Sequence, residues 1–230
     1  MLVFVQAPHI RATGQQDLIM RRIFPNLRVM KCAGYVLTFA ALVSGCTSAQ
    51  LPPASATQHE RSPYTEVNAS QYDSDWFAAA RAGRIDILQA LIDAHYPVDR
   101  TTPQGYTALI LAAYDDQPEA VTFLLNEHAD ACMGDRNGNT ALMGALFKGE
   151  EKIARMLLDT QCAIDQTNHA GETALSFAAL FGRFDMLPLL AARGADPNHA
   201  DARGATALQM AHSQGNLAAQ NALRAIGARE

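Results

Sequence analysis

Gly105, Gly138, Gly171 and Gly204 recur at intervals of 33 residues, and each opens the same phrase. The phrases read Tyr106-Thr107-Ala108-Leu109, Asn139-Thr140-Ala141-Leu142, Glu172-Thr173-Ala174-Leu175 and Ala205-Thr206-Ala207-Leu208. A fixed period of this length is the mark of stacked repeats rather than of one closed core, because each copy is too small to bury its own apolar face and its neighbours must complete it. The register continues past the phrase. Small residues follow at Ala112-Ala113, Ala145, Ala178-Ala179 and Ala211, where they let successive helices lie close together. Leucines at Leu124-Leu125, Leu157-Leu158, Leu190 and Leu223 supply one continuous core. Between the two sets stand turn residues, Gly149, Gly182 and Gly215, with Asp116 in the same slot.

A 33-residue period with a Gly-x-Thr-x-Leu core resembles the ankyrin repeat. The resemblance implies an all-α solenoid in which each unit is a turn plus two antiparallel helices, and it implies binding rather than chemistry. Five units are expected over residues 72–230, starting near residues 72, 102, 135, 168 and 201. The first is degenerate, running from Asp75-Trp76-Phe77 through Ile85-Asp86-Ile87-Leu88. The last carries Gln214, Asn216, Gln220, Asn221 and Arg224, a polar skin suited to a terminal cap. The family phrase Thr-Pro-Leu-His is altered here. Alanine replaces the proline, and Ile110, Met143, Ser176 and Gln209 fill the histidine slot. In the family that histidine ties neighbouring loops, so its loss implies weaker tethering. Gly194 closes a second helix at a position of left-handed backbone, and His95, His128 and Gln161 occupy the same slot in other units. Pro118 and Pro188 fall in first turns of second helices, where a missing N–H costs least.

The segment before the repeats decides where they work. Cys32 to Val43 is an apolar run preceded by Arg21, Arg22, Arg28 and Lys31. It has the basic and apolar regions of an export signal and is short of the ~20 residues of a membrane span. The run leads into Leu42-Val43-Ser44-Gly45-Cys46, which resembles the lipobox of bacterial lipoproteins. That resemblance implies cleavage before Cys46, acylation of Cys46, and, with Thr47 next, an outer-membrane anchor on the periplasmic side. The alternative is an uncleaved signal anchor with Cys46 a bystander. Residues 1–19 fit neither reading; Met20 is the expected start, with Met30 the alternative. Residues 47–71, rich in Ser, Ala, Thr, Pro and Gln, read as a flexible tether whose extended reach is on the order of 80 Å.

After Cys46 the chain holds 13 basic and 22 acidic residues, a net charge of −9. With no basic stripe, this speaks against nucleic acid and against docking on anionic lipid. Of the four cysteines, Cys32 leaves with the signal and Cys46 is the lipid site, so Cys132 and Cys162 remain. They lie 30 residues apart, in different slots of adjacent units, and that offset predicts Cα atoms beyond the ~7 Å limit for a disulfide. Cys162 then reads as a small buried side chain. His169 and His199 fall on neighbouring loops, but no carboxylate or thiolate joins them by register, so neither a metal nor a cofactor is expected. An enzyme or metal protein using these histidines is the competing class.

Partner contacts in ankyrin proteins come from hairpin tips and from the exposed side of first helices. By that resemblance Tyr114, Phe147 and Leu180 line up one per unit, with Phe181 beside Leu180 and Tyr106 at a hairpin. Arg136, Asn137, Asn139 and Lys148 stand on the rim, together with Asp115 and Asp116. An apolar and aromatic centre with a polar rim is the anatomy of an interface. The alternative is that these side chains complete packing between repeats. The expected partner is an unidentified protein. A scaffold or accessory role toward an envelope enzyme and an immunity-type inhibition of a periplasmic toxin both fit.

Overall fold

The computed structural model describes residues 69–230. The signal segment, the lipobox with Cys46 and the tether up to residue 68 lie outside the described residues. A 3-10 turn at Ala69–Tyr72 leads into the first helix, so regular backbone already covers the last three residues assigned by composition to the tether.

Ten α-helices follow among the described residues, in five pairs. Unit 1 has α1 (Asp73–Arg81) and α2 (Ile85–Asp93); unit 2 has α3 (Ala108–Tyr114) and α4 (Pro118–Asn126). Unit 3 has α5 (Ala141–Lys148) and α6 (Glu151–Leu158); unit 4 has α7 (Ala174–Leu180) and α8 (Leu187–Ala192). Unit 5 has α9 (Ala207–Ser213) and α10 (Leu217–Ala225). First helices pack on first helices and second helices on their own partners, as a stack requires.

The threonine of the repeated phrase is the N-cap. Thr107, Thr140, Thr173 and Thr206 accept through Oγ1 from the backbone N–H three residues on, at 3.2, 3.4, 3.3 and 3.2 Å. The residue that donates is the one in the histidine slot, and the slot divides in two. Ser176 and Gln209 return a bond to the N-cap backbone and complete capping boxes. Ile110 and Met143 have no side-chain acceptor and are buried instead.

The alanines after the phrase also have a defined task. The backbone N–H groups of Arg84, Gln117, Glu150, Arg183 and Asn216 donate to the carbonyls of Ala79, Ala112, Ala145, Ala178 and Ala211 at 2.7 to 3.0 Å. Each bond closes the tight turn between the paired helices, and each of these alanines is buried where a larger side chain would hold neighbouring helices apart. Leu124, Leu157, Leu190 and Leu223 are buried in the second-helix core, whereas Leu125 is half-buried at its edge.

Unit 4 departs from its sisters because of Pro188. Its second helix starts in register at Phe184, yet Phe184–Met186 is 3-10. Proline has no N–H to offer the Phe184 carbonyl four residues back, and Leu187 donates to it instead.

Adjacent hairpins are tied by the main chain. The N–H groups of Arg136, His169 and Ala202 donate to the carbonyls of Gln104, Asn137 and Ala170 at 2.9, 2.8 and 2.9 Å, so both ends of the bond repeat every 33 residues. The hairpin glycines make room for this. A Cβ on Gly171 would lie 2.4 Å from the Ala202 nitrogen, and its φ of +77° independently favours glycine.

Two expectations are corrected. Cys132 and Cys162 form a disulfide with a Cα–Cα separation of 5.3 Å. The reason lies in the slot Cys132 occupies. In the same slot Asp99, Asp165 and Asn198 reach forward to the backbone N–H of Asp130, Asp196 and Arg229, 31 residues on, at 2.9, 3.0 and 2.7 Å. Side chains there point across the junction, so an offset of 30 residues is close in space. The second correction concerns Gln161. His95 and His128 have φ of +61° and +64° and Gly194 has +91°, whereas Gln161 is not left-handed. In the other four units the residue after this slot donates to a leucine carbonyl five residues back, namely Leu91, Leu124, Leu190 and Leu223. In unit 3 that residue is Cys162, and Leu157 O accepts from Thr160 N–H instead.

Candidate partner-binding surface

The exposed side of the first helices carries a continuous row of rings. Tyr114, 36% exposed, ends α3, and Phe147, 41% exposed, lies near the end of α5. Their rings stack with centroids 5.9 Å apart and planes 15° from parallel. Phe147 meets Phe181 edge-on at 4.8 Å, and Phe181 meets Phe177 at 5.5 Å. Offset and edge-on geometries are those aromatic pairs prefer. Lys148 places its ammonium 4.7 Å from the Tyr114 ring centre, a cation–π contact. Gly144 completes the seat, because a Cβ there would already be in van der Waals contact with Tyr114, at 3.7 Å.

The third ring of the row is Phe181, not Leu180. α7 stops at Leu180, and Phe181 as its C-cap (φ −97°, ψ 10°) carries its ring to Phe147. Leu180 is half-buried. The other proposed contacts sit elsewhere. Tyr106 is half-buried and packs on the core at the start of α3, one seven-residue helix, roughly 10 Å, from Tyr114. Asn139 is held by its own hairpin, donating through its backbone and its side-chain amide to Asp135 while its Oδ1 accepts from Asn168 at 2.9 Å. The Asn137 carbonyl serves the next hairpin, and the side chains of Arg136 and Asn137 are exposed at the tip. The residues named from the sequence thus form two groups, a ring row at the ends of first helices and a hairpin group at their starts.

Two polar residues absent from the sequence reading, Arg183 and Glu150, border the row together with Asp116. Arg183 donates to the carbonyls of Leu146 and Phe147 at 3.1 and 3.3 Å, crossing from unit 4 to unit 3. Its guanidinium fills the place a side chain on Gly149 would take. Burial, and then the neighbouring Asp116 carboxylate, push Glu150 above the ordinary carboxylate range. Position gives the signal for Arg183 and Glu150: each directly follows the turn glycine of its unit.

Family comparisons agree with the geometry. A family model for ankyrin repeats in three copies matches residues 76–168, and another for ankyrin repeats in many copies matches residues 157–211. The two together span more than half of the chain. This is an ankyrin-repeat protein. The ankyrin repeat and SAM domain-containing protein 6 of Mus musculus is 36% identical over 61 residues, which is 26% of this chain. The chain covers only 7% of that relative's length, so the likeness is to its repeats and not to the whole protein.

What an ankyrin surface of this kind can do chemically is recognise. Among the described residues no three His, Cys, Asp or Glu side chains converge as a metal site, and the ring nitrogen of His199 lies 3.2 Å from the Gly171 carbonyl. The cleft between units 3 and 4, of about 220 Å³, is lined by Ala145, Leu146, Gly149, Gly182, Arg183 and Met186. That is smaller than the roughly 300–1,000 Å³ of common small-molecule sites.

Proposed function

We propose that this ankyrin-repeat protein is a membrane-anchored binding module of the bacterial envelope, acting as a scaffold or accessory factor for another protein. Ankyrin repeats make a protein partner the coarse expectation. The single observation that carries the reading further is the row Tyr114–Phe147–Phe181, which presents two of the three exposed large hydrophobics among the described residues as one strip across three units. Exposed aromatic strips with a polar rim concentrate binding energy in few residues. The anchor rests on the lipobox-like Leu42-Val43-Ser44-Gly45-Cys46. The Cys132–Cys162 disulfide supports the location, since such bonds persist in oxidising compartments such as the periplasm.

Phe147→Ala separates an interface from packing. Phe147 is partly exposed and meets two rings, so its loss is expected to cost stability only about 1–2 kcal/mol, while binding of an envelope partner to the immobilised protein weakens by ~2 kcal/mol or more. A core-like loss of ~3–5 kcal/mol in thermal melting would return the row to packing. The anchor has its own test. Cys46→Ser is expected to abolish palmitate labelling and membrane fractionation, and unchanged labelling would remove it.

A further inference from the structure

The junction between units 2 and 3 is built unlike the other three. At those, an Asp or Asn in the slot of residues 99, 165 and 198 accepts from a backbone N–H of the next unit. At this one Cys132 holds the slot, and a thiol is a poor acceptor, so without the disulfide the junction has no equivalent of the tether. Cys162 stands one residue before the position whose N–H its sisters use, and unit 3 alone lacks the closing bond to a carbonyl five residues back. Both cysteines are half-buried, within reach of an exchanging thiolate. The same junction is spanned on the first-helix side by the stacked pair Tyr114 and Phe147.

We propose that Cys132–Cys162 is a reversible staple that sets the coupling of units 2 and 3, and through it the order of the Tyr114–Phe147 pair, in response to the thiol–disulfide state of the compartment. The chemistry is dithiol–disulfide exchange. A dithiol reductant attacks one sulfur through a thiolate and forms a mixed disulfide; its second thiol displaces the remaining protein sulfur. Two electrons and two protons pass to the protein, Cys132 and Cys162 end as thiols, and the reductant ends as a disulfide. The reverse reaction, with a protein disulfide donor, closes the staple. In a solenoid each unit touches only its neighbours, so a rotation of unit 3 against unit 2 is felt at both ends of their interface. That this regulates partner capture rests on the function proposed above; the staple and its effect on the rings do not.

The test uses amide hydrogen exchange and thermal melting of the full chain, with and without dithiothreitol. Three forms are compared: the wild type, Cys132→Ser/Cys162→Ser, and Cys132→Asp/Cys162→Ala. The last restores the acceptor that Asp99 and Asp165 provide and the alanine found at Ala129 and Ala195. In the wild type, reduction is expected to speed exchange on the order of ten-fold or more at 129–133, 159–164, 111–115 and 144–149. Residues 196–199 and 227–229 should be unchanged, and the melting temperature should fall by on the order of 10 °C. The Asp/Ala form should ignore reductant and resemble the oxidised wild type more closely than the Ser/Ser form does. Exchange that changes evenly along the chain, or only at the sulfurs and not at 111–115 and 144–149, overturns the proposal, as does an Asp/Ala form as open as Ser/Ser. Because no partner enters this measurement, it can fail while Phe147→Ala still abolishes capture, and the reverse.

Discussion

Units 2 and 3 meet across a covalent bond, and units 3 and 4 meet across a set of polar bridges, although both junctions follow one plan. Each has the hairpin-to-hairpin backbone bond, from Arg136 to Gln104 and from His169 to Asn137. Beyond that they diverge. At the second junction Arg183 reaches two carbonyls of unit 3, Arg193 donates to the Leu158 carbonyl at 2.7 Å and pairs with Asp159, and Asp165 accepts from Asp196 N–H. At the first, Gln166 donates to the Cys132 carbonyl at 2.7 Å, and Lys152 and Glu119 approach at 3.7 Å with both side chains largely exposed. An exposed pair of that kind is worth little. The contrast teaches that, of these two junctions, the disulfide does not reinforce the one already well tied; it stands at the one with fewer side-chain ties.

The widest expected effect comes from breaking the bond. Cys132→Ser/Cys162→Ser opens a link spanning 30 residues, for which loop-closure entropy gives about 3–4 kcal/mol, read as a shift in denaturation midpoint. Transplanting it sharpens the comparison. Asp165→Cys with Ala195→Cys puts thiols in the same two slots one unit later, and oxidation should add about 2 kcal/mol after the lost Asp165 hydrogen bond is subtracted. Failure of that pair to oxidise would mean that the unusual closing turn of unit 3, rather than the slots, brings the sulfurs together. Smaller still, Asp165→Ala removes bonds of 3.0 and 3.2 Å to one exposed N–H and should cost about 1 kcal/mol. A loss equal to that of the cysteine pair would erase the distinction between the two junctions.

The features legible in the sequence are those whose partners are near in the chain or fixed by the period. Thr107, Thr140, Thr173 and Thr206 cap helices through the third residue on, and the turn alanines accept from the fifth, so reading one copy reads all. The ring row was half legible. Tyr114 and Phe147 hold their slot, but the third ring comes from Phe181, one residue past the slot at the C-cap of α7, while Leu180 in the slot itself carries no ring and is half-buried. The disulfide was hidden by the same register that revealed the fold. Slot arithmetic gives an offset along the chain, whereas the direction in which Asp99, Asp165 and Asn198 point decides what lies across the junction. Arg183 was missed for a related reason: its acceptors are main-chain carbonyls 36 and 37 residues away, which no side-chain pattern marks.

The smallest effect isolates protonation from geometry at the far end of the stack. Asp201 opens the unit 5 hairpin and accepts through Oδ1 from the N–H groups of Arg203 and Ala205 at 2.8 and 2.9 Å, while Oδ2 meets the Arg203 guanidinium. The Ala205 backbone bond first, and then the Arg203 side chain, hold its carboxyl below the usual aspartate range. Its folded pKa is therefore lower than its unfolded one, near ~3.9. The stabilisation is complete above that unfolded value and drains away as pH falls through the folded one. Unit 4 carries Asn168 in the same slot, with the same pair of bonds from Ala170 and Glu172 at 3.0 and 2.9 Å and no titrating group. Asp201→Asn should consequently leave stability near neutrality almost unchanged and flatten the acid limb of the stability curve. The limb will not vanish: burial works to raise Asp73, but Arg100 and Tyr96 together outweigh it and hold the carboxyl low, so Asp73 titrates in the same direction. Urea midpoints measured between about pH 2 and 7 decide the matter. If the Asn form keeps the full acid slope, the hairpin bonds do not distinguish carboxylate from carboxylic acid. If it loses stability at neutral pH, the Arg203 ion pair contributes more than its exposed position allows.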